Sequence, residues 1–153
     1  MYNVMIAGLM FILPIASIIA EMTTPGASLI ILIGKWFVFW AVGLRLLTAG
    51  IKQLVQPGFT AKTIFEIEDP AAGKIVSELG ISNLAMGVIG LLSLYFQNWV
   101  MPVAIYGVIF YGLAAVRHLG NKTRNATENV ATISDAWVAI VLAVYLIGAV
   151  GFR

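Results

Sequence analysis

Five apolar runs separated by short polar stretches organise the chain. The first, about residues 2–20, holds no charge before Glu21. It is about nineteen residues long, near the length a helix needs to cross a hydrocarbon core of roughly 30 Å. Pro14 inside it predicts a bend, tolerated where a neighbouring helix meets the carbonyl that the ring leaves free. This first run reads as an anchor or packing helix. Thr23, Thr24, Pro25 and Gly26 form a turn, and a second helix follows over about residues 29–56, ended by Pro57-Gly58. The next stretch, to Asp69, is polar, with one short interfacial turn of helix over 60–67. Asp69 as N-cap and Pro70 at the first helical position start a third span, about 70–97. Gln97-Asn98-Trp99 suits only a tight turn. The fourth span covers about 100–119, with Pro102 in its first turn. A polar loop over 120–129 leads to the last span, about 133–151, with Ser134-Asp135 at its start. The pattern predicts an all-α membrane protein, one integral membrane domain over residues 1–153, with no internal repeat.

The faces of these helices carry more. On the second span Arg45 and Lys52 are one double turn apart and share a side with Thr48, Ala49 and Gln56. Lys35 lies toward the other end, where its stem can snorkel to the headgroups beside the belt residues Trp36 and Trp40. On the third span Gly80, Asn83, Gly87 and Gly90 follow one face, and small residues let another helix come close. Glu78 lies about 140° around from Asn83, so the two cannot point at one neighbour. Gly43 and Gly50 give the second span a small face of its own. The two glycine faces are expected to meet, turning Arg45 and Lys52 toward spans four and five, where His118 and Asp135 lie at matching height on the cytoplasmic side. Any head-group pocket should open there.

Composition narrows the class. Of 153 residues, 61% are hydrophobic and 10% charged, whereas soluble domains carry about 25% charged residues. Lipid is the natural solvent for such a chain. A net charge of +2 is too small to argue for a nucleic-acid partner. The absence of cysteine excludes disulfides, thiolate metal sites and thiol chemistry. A single histidine, His118, excludes a histidine metal cluster within one chain, and no metal site is expected. Met1-Tyr2-Asn3 lacks the basic region of a secretory signal, so the first run is expected to be retained. Lys52, Lys62, Lys74, Arg117, Lys122 and Arg124 fall on one side of a five-span topology, against Arg153 and Lys35 on the other. The positive-inside rule then places the N-terminus in the cytoplasm and the C-terminus outside. Asn121-Lys122-Thr123 and Asn125-Ala126-Thr127 match the glycosylation acceptor pattern, but on the cytoplasmic side of that topology.

Placed by depth at about 1.5 Å per residue, Arg45, Lys52, Glu78, Asn83, His118 and Asp135 all lie in the cytoplasmic half. A charge at membrane depth costs roughly 2.5–3.5 kcal/mol, so Arg45 is expected within ion-pair or one-water distance of Glu78 or Asp135. Two readings stay open. These residues form an ion-pair network that locks the helices, or they line a ligand-binding or proton-handling cavity. His118 reads as an interfacial or capping group, and Asp135 as first-turn charge on a helix dipole.

Gly43-Leu44-Arg45 with Gly50-Ile51-Lys52, the proline-containing loop, Glu78-Leu79 before a glycine-rich helix, His118 and Asp135 resemble the DoxX-like family of small bacterial membrane proteins over about residues 39–148. The resemblance implies a four-helix bundle in the bacterial inner membrane, with residues 2–20 as an added N-terminal helix. It also implies links to thiosulfate–quinone oxidoreduction and to membrane redox or detoxification complexes, although cysteine-dependent roles cannot carry over. No nucleophile–base pair or phosphate loop is present, which leans against an enzyme. The expected role is a non-catalytic accessory or scaffold subunit of a membrane complex. One alternative is a quinone- or lipid-binding redox subunit, with Arg45 or His118 bonding the head group. A second is an oligomeric small-solute transporter or channel. The expected partners are the bilayer and a membrane protein or a second copy of the chain. No cofactor is identified from the residues; quinone or lipid are the candidates.

Overall fold

The computed structural model describes residues 2–63, 66–121 and 126–151, apart from the side chains of Tyr2 and Thr127. The charges counted at Lys122, Arg124 and Arg153, and part of each glycosylation pattern, fall outside the described residues. Among those described there is no strand. Five helical segments are long and apolar enough to cross a membrane: Asn3–Glu21, Leu29–Val55, Ala72–Leu92, Gln97–Gly120 and Glu128–Gly151. The protein is an all-α, multi-pass membrane protein. Its helices are α1 (Tyr2–Ala7), α2 (Leu13–Glu21), α3 (Leu29–Phe37), α4 (Arg45–Val55), α5 (Pro57–Thr63), α6 (Ala72–Leu92), α7 (Val100–Gly120) and α8 (Ala126–Gly151). A π-helical turn joins α1 to α2 over Gly8–Ile12, and another joins α3 to α4 over Val38–Leu44.

Both π turns have a local cause or consequence in backbone hydrogen bonding. Pro14 has no N–H, and its ring crowds the carbonyl four residues back, that of Met10. The chain widens ahead of it, with the Leu13 N–H reaching back to the Gly8 carbonyl. The orphaned Met10 carbonyl then accepts from Trp137 Nε1 on α8 at 3.1 Å. A neighbouring helix thus satisfies the carbonyl freed by the proline, as lipid requires. In the second π turn the Arg45 N–H goes back to the Trp40 carbonyl rather than to Ala41. The Tyr111 hydroxyl of α7 donates to the Ala41 carbonyl instead.

The first span is more than an anchor. Ile6, Leu9, Met10 and Ile18 are buried in one core with Phe37, Val38, Val42, Ala104, Tyr111, Val138 and Leu142. At the end away from the basic loops, Glu21 accepts from Lys35 Nζ at 2.6 and 2.7 Å and from Trp36 Nε1 at 2.7 Å. Trp40 Nε1 donates to Ser17 at 2.9 Å. Lys35 therefore does not snorkel alone; it fastens the first span to the second.

The third span joins the second through glycine. A Cβ on Gly87 would lie 2.4 Å from the Leu47 nitrogen, one on Gly50 2.5 Å from the Leu84 nitrogen, and one on Gly90 2.7 Å from Gly43 Cα. The two backbones touch, which meets the expectation from sequence. Only hydrogen fits on those faces, and in lipid such close packing drives association.

Several element boundaries differ from the sequence reading. The last helix begins at Ala126 rather than near 133, because Ala126 to Val130 extends the helix into the stretch read as loop. The third stops at Leu92, short of 97. Asp69 is not the N-cap: the helix begins at Ala72 with Ala71 as its N-cap, and Asp69 Oδ1 accepts from the Ala71 N–H at 2.8 Å in the turn ahead of it. Its first turn is tight, with the Ala72, Gly73 and Lys74 N–H groups each bonding three residues back. The interfacial turn expected over 60–67 is α5, displaced toward Pro57; residues 64–65 fall outside the description.

Candidate functional site

The glycine contact fixes how α4 and α6 face each other, and so what sits between them. Three residues beyond Gly50 stands Gln53, and three beyond Gly80 stands Asn83. With the backbones in contact these two amides meet: Asn83 Nδ2 donates to Gln53 Oε1 at 2.8 Å. Both are buried, with Asn83 only 3% exposed. Asn83 Oδ1 is enclosed and has no hydrogen-bond partner among the described residues. A buried polar atom left unmet costs about 1–3 kcal/mol, so this oxygen calls for a donor.

Next to that amide pair lies a cavity of about 580 Å³. Arg45, Gln53 and Asn83 form its polar floor together with Asp135 and His118, while Tyr106, Ile109, Phe110 and Leu113 supply an apolar flank. Ile109 and Leu113 of α7 are 56% and 66% exposed, so this flank reaches the outer surface of the bundle, the surface that faces hydrocarbon in a membrane. The volume is within the usual range of small-ligand sites, roughly 300–1,000 Å³.

Of the six residues grouped by depth in the sequence, four line this cavity: Arg45, Asn83, His118 and Asp135. Asp135 is buried and lies in the electrostatic reach of both Arg45 and His118. Asp135 and Arg45 line the same cavity, and of the two acids expected near Arg45 it is Asp135 that lies there. Asp135 is not a first-turn dipole charge, however. α8 starts nine residues earlier, so Asp135 stands about 14 Å along it. The first-turn acid is Glu128.

Lys52 and Glu78 do not join the group. Lys52 is exposed at the end of α4, where its ammonium sits 3.7 Å from the ring centre of Phe59 on α5. The fold-back at Pro57 brings that ring to it, and cation–π attraction holds it there. Glu78 is exposed on α6. The face bearing Gly80 and Asn83 is committed to α4, and Glu78 is turned well away from it. It is therefore not the acid that faces Arg45.

Two residues missed by the sequence reading complete the site. Gln53 was hidden beside the more conspicuous Lys52; its signal is the shared offset of an amide from a glycine on two helices. Glu128 falls in the stretch whose polarity reads as loop. Its carboxylate lies 2.9 Å from His118 Nδ1 and accepts from Asn121 Nδ2 at 3.0 and 3.1 Å. The signal was the separation of Glu128 from Asp135, seven residues, which places both on one side of a helix. Among the described residues, no three His, Asp or Glu side chains come together as a metal ion would need.

Chemically the arrangement combines an apolar wall that opens to lipid, hydrogen-bonding amides, and charges already set against one another. It can hold the polar end of an amphiphile whose tail stays in the hydrocarbon. Comparison with known proteins gives one family: the model of DUF6790, a family of unknown function, matches residues 2–152. No curated protein and no solved structure matches the chain.

Proposed function

The chain belongs to the DUF6790 family, and for a family of unknown function we propose a role from this chain's own residues: a non-catalytic membrane component that binds the head of an amphipathic, lipid-soluble molecule. The carrying observation is the cavity lined by α4, α6, α7 and α8, with apolar side chains along α7 and Arg45, Gln53, Asn83, His118 and Asp135 around it. Arg45 and His118 are the groups that would meet acceptor atoms of the head. A quinone stays among the candidates on the strength of the DoxX-like motifs alone; a lipid is the other. The protein, purified in mild detergent and extracted with organic solvent, should release a stoichiometric amphiphile detectable by mass spectrometry. Widening the floor charge with Asn83→Asp should lower its occupancy. Extracts with only sub-stoichiometric, unselected lipid in both proteins would sink the reading.

A scaffold role is favoured by a different observation. Gln53–Asn83 and His118–Glu128 join α4 to α6 and α7 to α8, as an interhelical lock would. On that reading the floor residues matter to stability and to assembly with a membrane partner or a second copy.

The basic end, with Lys52, Lys62, Lys74 and Arg117, is proposed to face the cytoplasm of a bacterial inner membrane. A reporter fused after Arg153 and one placed within 120–129 should then report opposite compartments. Periplasm-only reporter activity from the 120–129 position would reverse the orientation.

A further inference from the structure

The charges around the cavity do not balance. Its lining carries Arg45, Arg117 and His118 against one carboxylate, Asp135. Asp135 lies in the electrostatic reach of Arg45 and His118, which leaves Arg117 unanswered. Arg117 and His118 also line a second cavity, of about 760 Å³, at the basic end of α7. Glu66 and Glu128 stand in that second lining. Glu128 already accepts from His118 and Asn121, and neither acid forms an ion pair with Arg117.

The position of Arg117 on its helix adds a direction. Leu113 and Ile109 stand four and eight residues before it, so the three share one stripe of α7. All three are exposed and all three line the cavity. The stripe runs about 12 Å from the guanidinium at the basic end into the apolar zone. An amphiphile lying along it would set its head at Arg117 and its chain on Leu113 and Ile109. The planar fork of an arginine matches the two oxygens of a carboxylate or a phosphate. A neutral head leaves the surplus positive charge unmet, and a choline head brings another cation toward three bases. Resting on the reading of the cavity as an amphiphile site, we infer that the head it accepts is a single oxyanion, held by Arg117 with Arg45 behind it: the ligand class is an acidic lipid, not a neutral or zwitterionic one.

The test uses two matched pairs of probes: dioleoyl phosphatidylglycerol against dioleoyl phosphatidylcholine, and oleate against oleyl alcohol. Each is titrated into the full-length protein in an uncharged detergent, and affinity is read from the concentration dependence of the thermal midpoint. At least one acid should bind about tenfold more tightly than its match, and the one that does names the source of the oxyanion. Arg117→Gln should erase that preference, and Arg117→Lys should keep part of it. Lys74→Gln removes a charge from the same end but outside the cavity lining, and should leave the preference unchanged. Both positions are exposed, so neither change disturbs the core. Equal losses from Arg117→Gln and Lys74→Gln would mean that acids gather on the basic surface as a whole, and would overturn the inference. Equal affinities within both pairs in the parent would overturn the acidic head while leaving the amphiphile site standing. If no probe binds, and no amphiphile is released on extraction, the reading of the cavity itself fails.

Discussion

Gly87→Ala is expected to destabilise the bundle sharply, and Gly87→Leu to prevent recovery of monodisperse protein. The added Cβ would stand 2.4 Å from the Leu47 nitrogen and 2.9 Å from the Gly43 carbonyl oxygen. Both are backbone atoms of the second span, so no rotamer change relieves the clash; the helices must part. Overpacking a core costs about 1–3 kcal/mol where side chains can shift. Here the cost should exceed about 3 kcal/mol, a fall of about 10 °C in thermal midpoint for a chain of this size. Gly50→Ala should behave alike. The matched control is Gly112→Ala on α7, whose new methyl would rest 3.9 Å from the Ala139 Cβ, an ordinary contact. Thermal melts in one detergent would compare the three. Equal midpoints for Gly87→Ala and Gly112→Ala would mean that α4 and α6 are not in backbone contact, and the amide pair and cavity would lose their basis.

Removing the charge of Arg45 is the second large effect. Asp135 is only 8% exposed, and Arg45 is the first of the two cations acting on it. Arg45→Met leaves that carboxylate without its main counter-charge. Breaking a buried pair from one side costs about 3–5 kcal/mol. Adding Asp135→Asn should recover most of the loss, because no uncompensated charge then remains at membrane depth. Arg45→Lys should lie between parent and Arg45→Met: it restores the charge but not the planar fork of donors. Denaturation in mixed micelles would measure all four proteins. If the double variant is as unstable as Arg45→Met, the two residues do not compensate each other, and Arg45 serves a different group.

The amphiphile reading ties these results to function. A double variant that is stable yet releases no amphiphile on extraction would separate the cavity's role in holding a ligand from its role in holding helices together. A double variant that keeps both properties would leave Arg117 as the working element of the site.

The sequence by itself determined the five spans, the glycine faces and the side toward which Arg45 turns. These features are local or nearly so. Hydrocarbon thickness sets span length, backbone hydrogen bonds must close within each helix, and a face without Cβ atoms can be read from one helix alone. The need of the Met10 carbonyl for an outside donor was legible too, since it follows from Pro14 and lipid; that the donor is Trp137 was not. Tertiary structure alone decided which polar groups meet. Lys52 and Arg45 share a helical side, yet the fold-back after Pro57 gives Lys52 the ring of Phe59 as its partner. Glu78 carries the more conspicuous charge, yet close packing of the third span on the second takes Asn83 into the floor and leaves Glu78 outside. Glu128 enters the site only because the last helix starts at Ala126. Each outcome depends on register between helices, and register is set by the contact of two backbones at Gly43, Gly50, Gly87 and Gly90, which no periodicity within one helix contains.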